Sequence, residues 1–158
     1  MKGNARVLET LNSLLADELT AISQYMVHSE MCDNWGYHRL HRVIEKRAID
    51  EMKHAEKLIG RVLFLDGTPV VSHMNEMHIG ADVQAQLQND LAAEVGAVRV
   101  YNSAIHQAME LGDNGTREML DSILHDEDEH ADTLEAQLDQ IQQMGIQAFL
   151  AEQITGEG

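Results

Sequence analysis

One cysteine, one proline and few aromatic side chains each close off a class of protein. Cys32 alone can build neither a disulfide framework nor a CxxC metal knuckle. Pro69 is the only proline and aromatics make up 4% of the 158 residues, a composition that favours helices. Basic residues are scarce. Eleven Lys and Arg against 27 Asp and Glu leave a formal charge of −16, the wrong sign for nucleic acid or an anionic membrane. No apolar run approaches the roughly 20 residues of a membrane span, and the opening MKGNARVLETL has no signal-peptide h-region. A cytoplasmic protein of one domain over residues 1–158 is expected, with no nucleic-acid or membrane partner. The acidity suits a protein that gathers cations, and equally one that is merely soluble.

What the chain does contain is one short pattern written twice. Glu51-Met52-Lys53-His54 recurs as Glu127-Asp128-Glu129-His130, 76 positions on. The same offset relates Glu18 to Glu94, Tyr25 to Tyr101, Asp50 to Asp126 and Leu58 to Leu134; LLADELTAISQY aligns with DLAAEVGAVRVY. In a helix, positions i and i+3 lie on one face, so each Glu-x-x-His aims a carboxylate and an imidazole at one point. The chain reads as a duplicated helical hairpin whose best-kept feature is a set of metal-ligand side chains.

Apolar spacing of three and four marks helices from Ala5 to about Asn34, from beyond the Trp35-Gly36 break to about Leu65, from about Asp82 to Leu111, and from about Thr116 to Met144. A short fifth helix is expected over 146–154, carrying Ile146, Phe149, Leu150 and Ile154. Because it follows four helices that already close a core, it is expected to pack between subunits. Residues 67–81 have no helical period and include the His/Met-rich HMNEMH. Fifteen extended residues reach roughly 50 Å, enough to run the length of a helix of about 28 residues. The second and third helices are then parallel. This is the ferritin-like arrangement, an all-α four-helix bundle over about 5–144 with one long crossover.

Glu18, Glu51, His54, Glu94, Glu127 and His130 all fall on the apolar seams of their helices. Unpaired buried charge costs several kcal/mol per group, and Arg47 is the one cation near these seams. Two divalent metals balance four carboxylates. One imidazole per ion with carboxylate oxygens and no thiolate suits Fe, Mn or Zn, and the pattern is that of a dinuclear carboxylate centre. Two Fe³⁺ would leave two positive charges, which an oxide ion from O₂ or peroxide cancels; this favours iron redox chemistry over Zn hydrolysis. Tyr25 and Tyr101 lie two turns beyond Glu18 and Glu94, either as donors that orient carboxylates or as core packing. His28, His38, His41, His73, His78, His106 and His125 lack partners at ligand spacing and read as surface or packing residues. Met52 has Asp128 as its mate, so it lies on a face that tolerates charge, exposed by chance or part of an interface.

The opening MKG, LNSLLADELTAISQY, the NWG turn, IDEMKHA, RVLFLDGTP, the DEDEH block and the LEAQLDQIQQMG close together resemble a bacterioferritin over almost the whole chain. The resemblance implies a 24-subunit shell that oxidises Fe²⁺ and stores a ferric mineral. It implies a di-iron ferroxidase centre on Glu18, Glu51, His54, Glu94, Glu127 and His130, bridged by Glu51 and Glu127. It further implies a haem held by Met52 from each of two subunits across a two-fold interface, for reducing the mineral, with a small ferredoxin as electron donor. Family members often carry a cavity-facing His and Glu where this chain has Lys46 and Arg47, so an accessory iron site there is not expected from Lys46. The competing reading from the same residues is a di-iron or di-manganese oxidoreductase, of peroxidase or oxygenase type, that stores no mineral.

Overall fold

A computed structural model describes residues 1–155; the last three residues of the expected 1–158 span lie outside the described residues. Four long helices and one short one follow in order: α1 (Ala5–Asn34), α2 (His38–Phe64), α3 (Val83–Glu110), α4 (Asn114–Met144) and α5 (Ile146–Ala151). No helix among the described residues is long and apolar enough to cross a membrane.

The boundaries are set by capping chemistry. Asn4 Oδ1 accepts from Arg6 N–H at 2.8 Å to start α1, and Asp82 Oδ1 accepts from Ala85 N–H at 2.8 Å to start α3. Helix α4 begins two residues before the expected Thr116. Asp113, which the Gly-Asp-Asn-Gly stretch places in a turn, caps the helix by accepting from Thr116 N–H (3.0 Å) and Thr116 Oγ1–H (2.6 Å). Arg61 on α2 holds that cap from across the bundle, donating to Asp113 at 2.9 Å. Gly36, at φ 88°, makes the positive-φ turn that sends α2 back antiparallel to α1.

The long connection behaves as its length requires. Its backbone and side chains bond along α1 in register: Val70 N–H to Asn12, Asn75 N–H to Thr20, His78 N–H to Gln24, and Gly80 N–H to His28 Nε2. It therefore climbs α1 from near its start to near its end, and α3 leaves from the end where α2 began. Helices α2 and α3 run parallel, as the ferritin-like topology demands.

Two apolar clusters fill the bundle on either side of its middle. Leu11, Leu15, Leu58, Val62, Leu120 and Ile123 belong to one; Leu40, Ile44, Leu87, Leu134 and Ile141 belong to the other. The second also takes in Phe149, which is 2% exposed, with Ile146 and Leu150 packed against it. This corrects the expectation for α5. The helix caps its own bundle, held there by Arg39 N–H donating to Gln153 O at 3.1 Å. It is also shorter than expected, leaving Ile154 outside it and 59% exposed. The reason is geometric: the seams of α2 and α4 leave an open apolar end at Leu40 and Ile141, which Phe149 fills.

Candidate metal centre

Between the two apolar clusters, the four long helices bring all six predicted ligands together. Glu18 comes from α1, Glu51 and His54 from α2, Glu94 from α3, and Glu127 and His130 from α4. The four carboxylates and His54 are at most 3% exposed, and the His130 side chain is 11% exposed. Their donor atoms form two groups, Glu18/Glu51/His54/Glu127 and Glu51/Glu94/Glu127/His130, each spanning no more than 4.8 Å. Glu51 and Glu127 belong to both. His54 Nδ1 lies 2.9 Å from Glu127, 3.4 Å from Glu51 and 3.8 Å from Glu18. His130 Nδ1 lies 2.9 Å from Glu51, 3.4 Å from Glu94 and 3.9 Å from Glu127.

The atoms behind these ligands repeat the two-fold pattern. Each imidazole turns Nδ1 inward, and its Nε2–H donates to an aspartate of the other hairpin: His54 to Asp126 at 2.8 Å, His130 to Asp50 at 3.1 Å. A carboxylate behind a ligating imidazole fixes the ring and raises its basicity. Tyr25 donates to Glu94 Oε1 and Tyr101 to Glu18 Oε1, both at 2.5 Å. Both tyrosines therefore hydrogen-bond to ligands, and the tethers are crossed, each reaching the glutamate of the other hairpin. Asp50 and Asp126 were visible in sequence only as repeat mates; their role appears once the helices face each other.

The inward-facing atoms fit metal better than they fit one another. Glu18 Oε2, Glu51 Oε1, His54 Nδ1, Glu94 Oε2, Glu127 Oε1 and His130 Nδ1 are all buried without a hydrogen-bond partner, despite separations as short as 2.9 Å. They point past each other at common centres, and six such orphans in one place cost free energy that a bound cation relieves. In the metal-free site, burial and neighbouring Glu18 push the Glu51 carboxyl well above its usual range. Burial, with Glu94 and Glu51 alongside and against the pull of His54, pushes Glu127 up to about 12. Burial alone would lower both imidazoles, but Glu127, Glu18 and Glu51 hold His54 up, and Glu94 and Asp50 hold up His130. Cations placed among these carboxylates would favour the charged forms that burial disfavours.

A cleft of about 460 Å³ between α1 and α3 leads to this centre, lined by Glu18, Tyr25, Glu94 and Tyr101 inside and by Asp17, Glu76 and His78 toward the crossover. Small residues along it (Ala21, Ala93, Gly96 and Ala97) keep it open.

The Ferritin-like domain family model matches residues 8–144. A bacterioferritin of Rhodobacter capsulatus is 39% identical over 149 residues, 94% of this chain and 92% of that protein. Bacterioferritin BfrA of Mycobacterium tuberculosis (strain H37Rv) is 38% identical over 152 residues, 96% of each. A bacterioferritin of Brucella melitensis is 37% identical over 149 residues, 94% of this chain. The chain belongs to the bacterioferritin family.

The other singled-out residues of this family member fall into three places. Met52 is 46% exposed and lines an apolar groove of about 300 Å³ with Ile22, Met26, Ala48 and Ile49. Lys46 is exposed and its ammonium lies 3.4 Å from Asp50. Arg47 departs from the cavity-facing placement expected for it. It is buried (3% exposed), 3.6 Å from the fully buried Asp90 and 5.4 Å from the centre of the Tyr25 ring. Asp90 draws it inward, because a carboxylate buried there requires a cation.

Two of the histidines read as surface or packing residues have partners that lie on other elements. His28 is fully buried in a polar network, with Nδ1 2.9 Å from Asp90 and Nε2 accepting from Gly80 N–H. His41 is part-buried and has ligand-type neighbours, grouping with Glu30 and Glu45. Its α1 partner, Glu30, is far away in sequence, so no local spacing reveals that contact.

Proposed function

We propose that this chain is a ferroxidase subunit of an iron-storing shell, with Fe²⁺ as the substrate of the six-ligand centre. The observation that carries the reading is the sharing of Glu51 and Glu127 by two four-ligand groups that face one buried spot. Four carboxylates offer −4 to two Fe²⁺, and one imidazole for each keeps the site hard enough for iron. Shared carboxylates set metals in such centres about 3.5–4 Å apart, close enough for both to be oxidised together. Two Fe²⁺ give up one electron each, and with two protons these reduce O₂ to hydrogen peroxide, or peroxide to water. Burial disfavours the charged forms of Glu51 and Glu127, and Fe²⁺ bound between them favours those forms. Tyr25 and Tyr101 hold the terminal Glu94 and Glu18, and Asp50 and Asp126 hold the two imidazoles. The acidic mouth at Asp17 and Glu76 attracts the incoming cation.

The same reading places the chain in a 24-subunit cytoplasmic shell built from two-fold dimers, each subunit one ferritin-like domain. The groove around Met52, with Met26, Ile49 and Met52 each at least 41% exposed, supports burial against a second copy. An isologous contact sets Met52 opposite its own mate. Met52 and its mate would hold a haem iron through their thioethers, with Ile22, Met26, Ala48 and Ile49 as apolar surroundings for the porphyrin. When bound, the haem supplies a one-electron route for reducing stored iron.

Two variants test the centre. Glu94→Ala and His130→Ala are expected to abolish rapid Fe²⁺ oxidation, followed by absorbance of the ferric product, while helix content and particle size are kept. Wild-type initial rates in either variant would remove the ligand assignment.

A further inference from the structure

The two halves of the centre are copies in sequence but not in charge. Behind His130 stands Asp50, and the Asp50 Oδ2 that accepts from His130 Nε2–H also lies 3.4 Å from the Lys46 ammonium. Behind His54 stands Asp126. Its counterpart to Lys46, 76 positions on, is Ser122, which spends its hydroxyl on Met119 O at 2.6 Å. Asp126 pairs with His54 at 2.8 Å, and Ser122 brings it no charge. The neighbouring exchange of Ile123 for Arg47 adds no comparable asymmetry, since Arg47 is compensated by the buried Asp90.

Two further measures run the same way. The imidazole–aspartate contact is 3.1 Å on the Lys46 side and 2.8 Å on the other. The His130 side chain is 11% exposed, and that of His54 is 1% exposed. A carboxylate that shares its oxygen with an ammonium backs its imidazole less strongly, and the ammonium adds its own repulsion toward an arriving cation. Both effects lower the affinity of one half-site and spare the other.

We propose that Lys46 is a positioning residue that makes the two metal half-sites unequal. The Glu18/His54 half-site fills first, and the Glu94/His130 half-site is the weaker and more readily emptied. This rests on the dinuclear reading above. It goes beyond that reading in assigning an order to two sites that the ligand set alone leaves equivalent, and in assigning that order to a residue that touches neither metal.

The experiment is an anaerobic titration of the assembled, metal-free protein with Co²⁺, followed by calorimetry and by the visible Co²⁺ bands. Two ions should bind per chain in two resolved steps, and His130→Ala should delete the weaker one. Because Lys46 is largely exposed, its effect is screened, and Lys46→Ser should tighten the weaker step by about 2- to 5-fold. The tighter step should stay unchanged. Ser122→Lys, which places an ammonium one turn before Asp126, should weaken the tighter step by a similar factor. A merely structural Lys46–Asp50 pair would alter stability without shifting the two steps apart or together. If Lys46→Ser moved neither step or both alike, or if His130→Ala deleted the tighter step, the assignment to Lys46 would be overturned with the centre intact. Binding of fewer than two Co²⁺ per wild-type chain would bring down the dinuclear reading itself, and this inference with it.

Discussion

The crossed tyrosine tethers make a prediction that separates the folded geometry from the sequence order. Tyr25 shares helix α1 with Glu18, two turns away, yet its hydroxyl donates to Glu94 on α3 at 2.5 Å. Tyr25→Phe removes that donor and leaves a buried carboxylate oxygen short of a partner. A hydrogen bond to a charged group is worth about 1.5–3 kcal/mol, so the metal-free variant should lose about that much stability. The tether is identified by coupling, not by the single loss. In a double-mutant cycle, Tyr25→Phe with Glu94→Gln should show an interaction energy of about 1–2 kcal/mol, and Tyr25→Phe with Glu18→Gln should be additive within about 0.5 kcal/mol. The mirror cycle, Tyr101 with Glu18 against Tyr101 with Glu94, should give the mirror result. Urea unfolding of the metal-free protein at one fixed protein concentration measures all of these, since assembly makes apparent stability concentration-dependent. Coupling of Tyr25 to Glu18 in place of Glu94 would refute the crossed arrangement and the pairing of helices that produces it.

Met52→Leu keeps the volume of the side chain and removes the sulfur; the variant is expected to assemble and oxidise Fe²⁺ normally while losing the visible haem bands, and a full haem spectrum would place the ligand elsewhere. Phe149→Ala empties a fully enclosed site at the end of the bundle and should cost about 3–5 kcal/mol; a melting temperature equal to that of the wild type would show that α5 does not cap its own bundle.

Most of the fold, and the meeting of the six candidate ligand side chains, could be read from the sequence because both rest on periodicity. The seams of α1 to α4 repeat every three or four residues, and the candidate ligands are charges on those seams that recur at the 76-residue offset. The crossover followed from length alone, since a segment such as 67–81 has to travel somewhere. What could not be read depended on which helix faces which. Asp50 and Asp126 back the imidazoles of the opposite hairpin, and the tyrosines tether the opposite glutamates. Glu30 meets His41 only because α1 and α2 pack side by side. The placement of α5 failed for a related reason: its apolar residues show that it must bury something, and they do not say against what.

The duplication also explains why one end of the bundle is polar. Four positions break the 76-residue repeat together: Gln24 faces Val100 in the alignment, His28 faces Ala104, Arg47 faces Ile123, and Asp90 faces Leu14. In space, the four polar members form one network. Gln24 Nε2–H donates to Asp90 at 2.9 Å, His28 Nδ1 lies 2.9 Å from the same oxygen, and Arg47 lies 3.6 Å from the other. The four apolar mates pack or line the opposite end, where Leu14 and Ala104 are buried and Ile123 is fully enclosed. A single polar replacement at such depth would leave a buried group unpaired, at a cost of several kcal/mol, so these residues are stable only as a set. The set has work to do at that end, because the crossover reaches α1 there and leaves backbone N–H groups in need of acceptors. Gln24 accepts from His78 N–H and His28 from Gly80 N–H. Toward the opposite end the crossover is held by Asn12 and Thr20, which accept from Val70 N–H and Asn75 N–H, so the apolar mates there are not needed as acceptors. In the proposed centre both copies of the ligand set are needed, whereas the network is needed once, where Gln24 and His28 receive the end of the crossover.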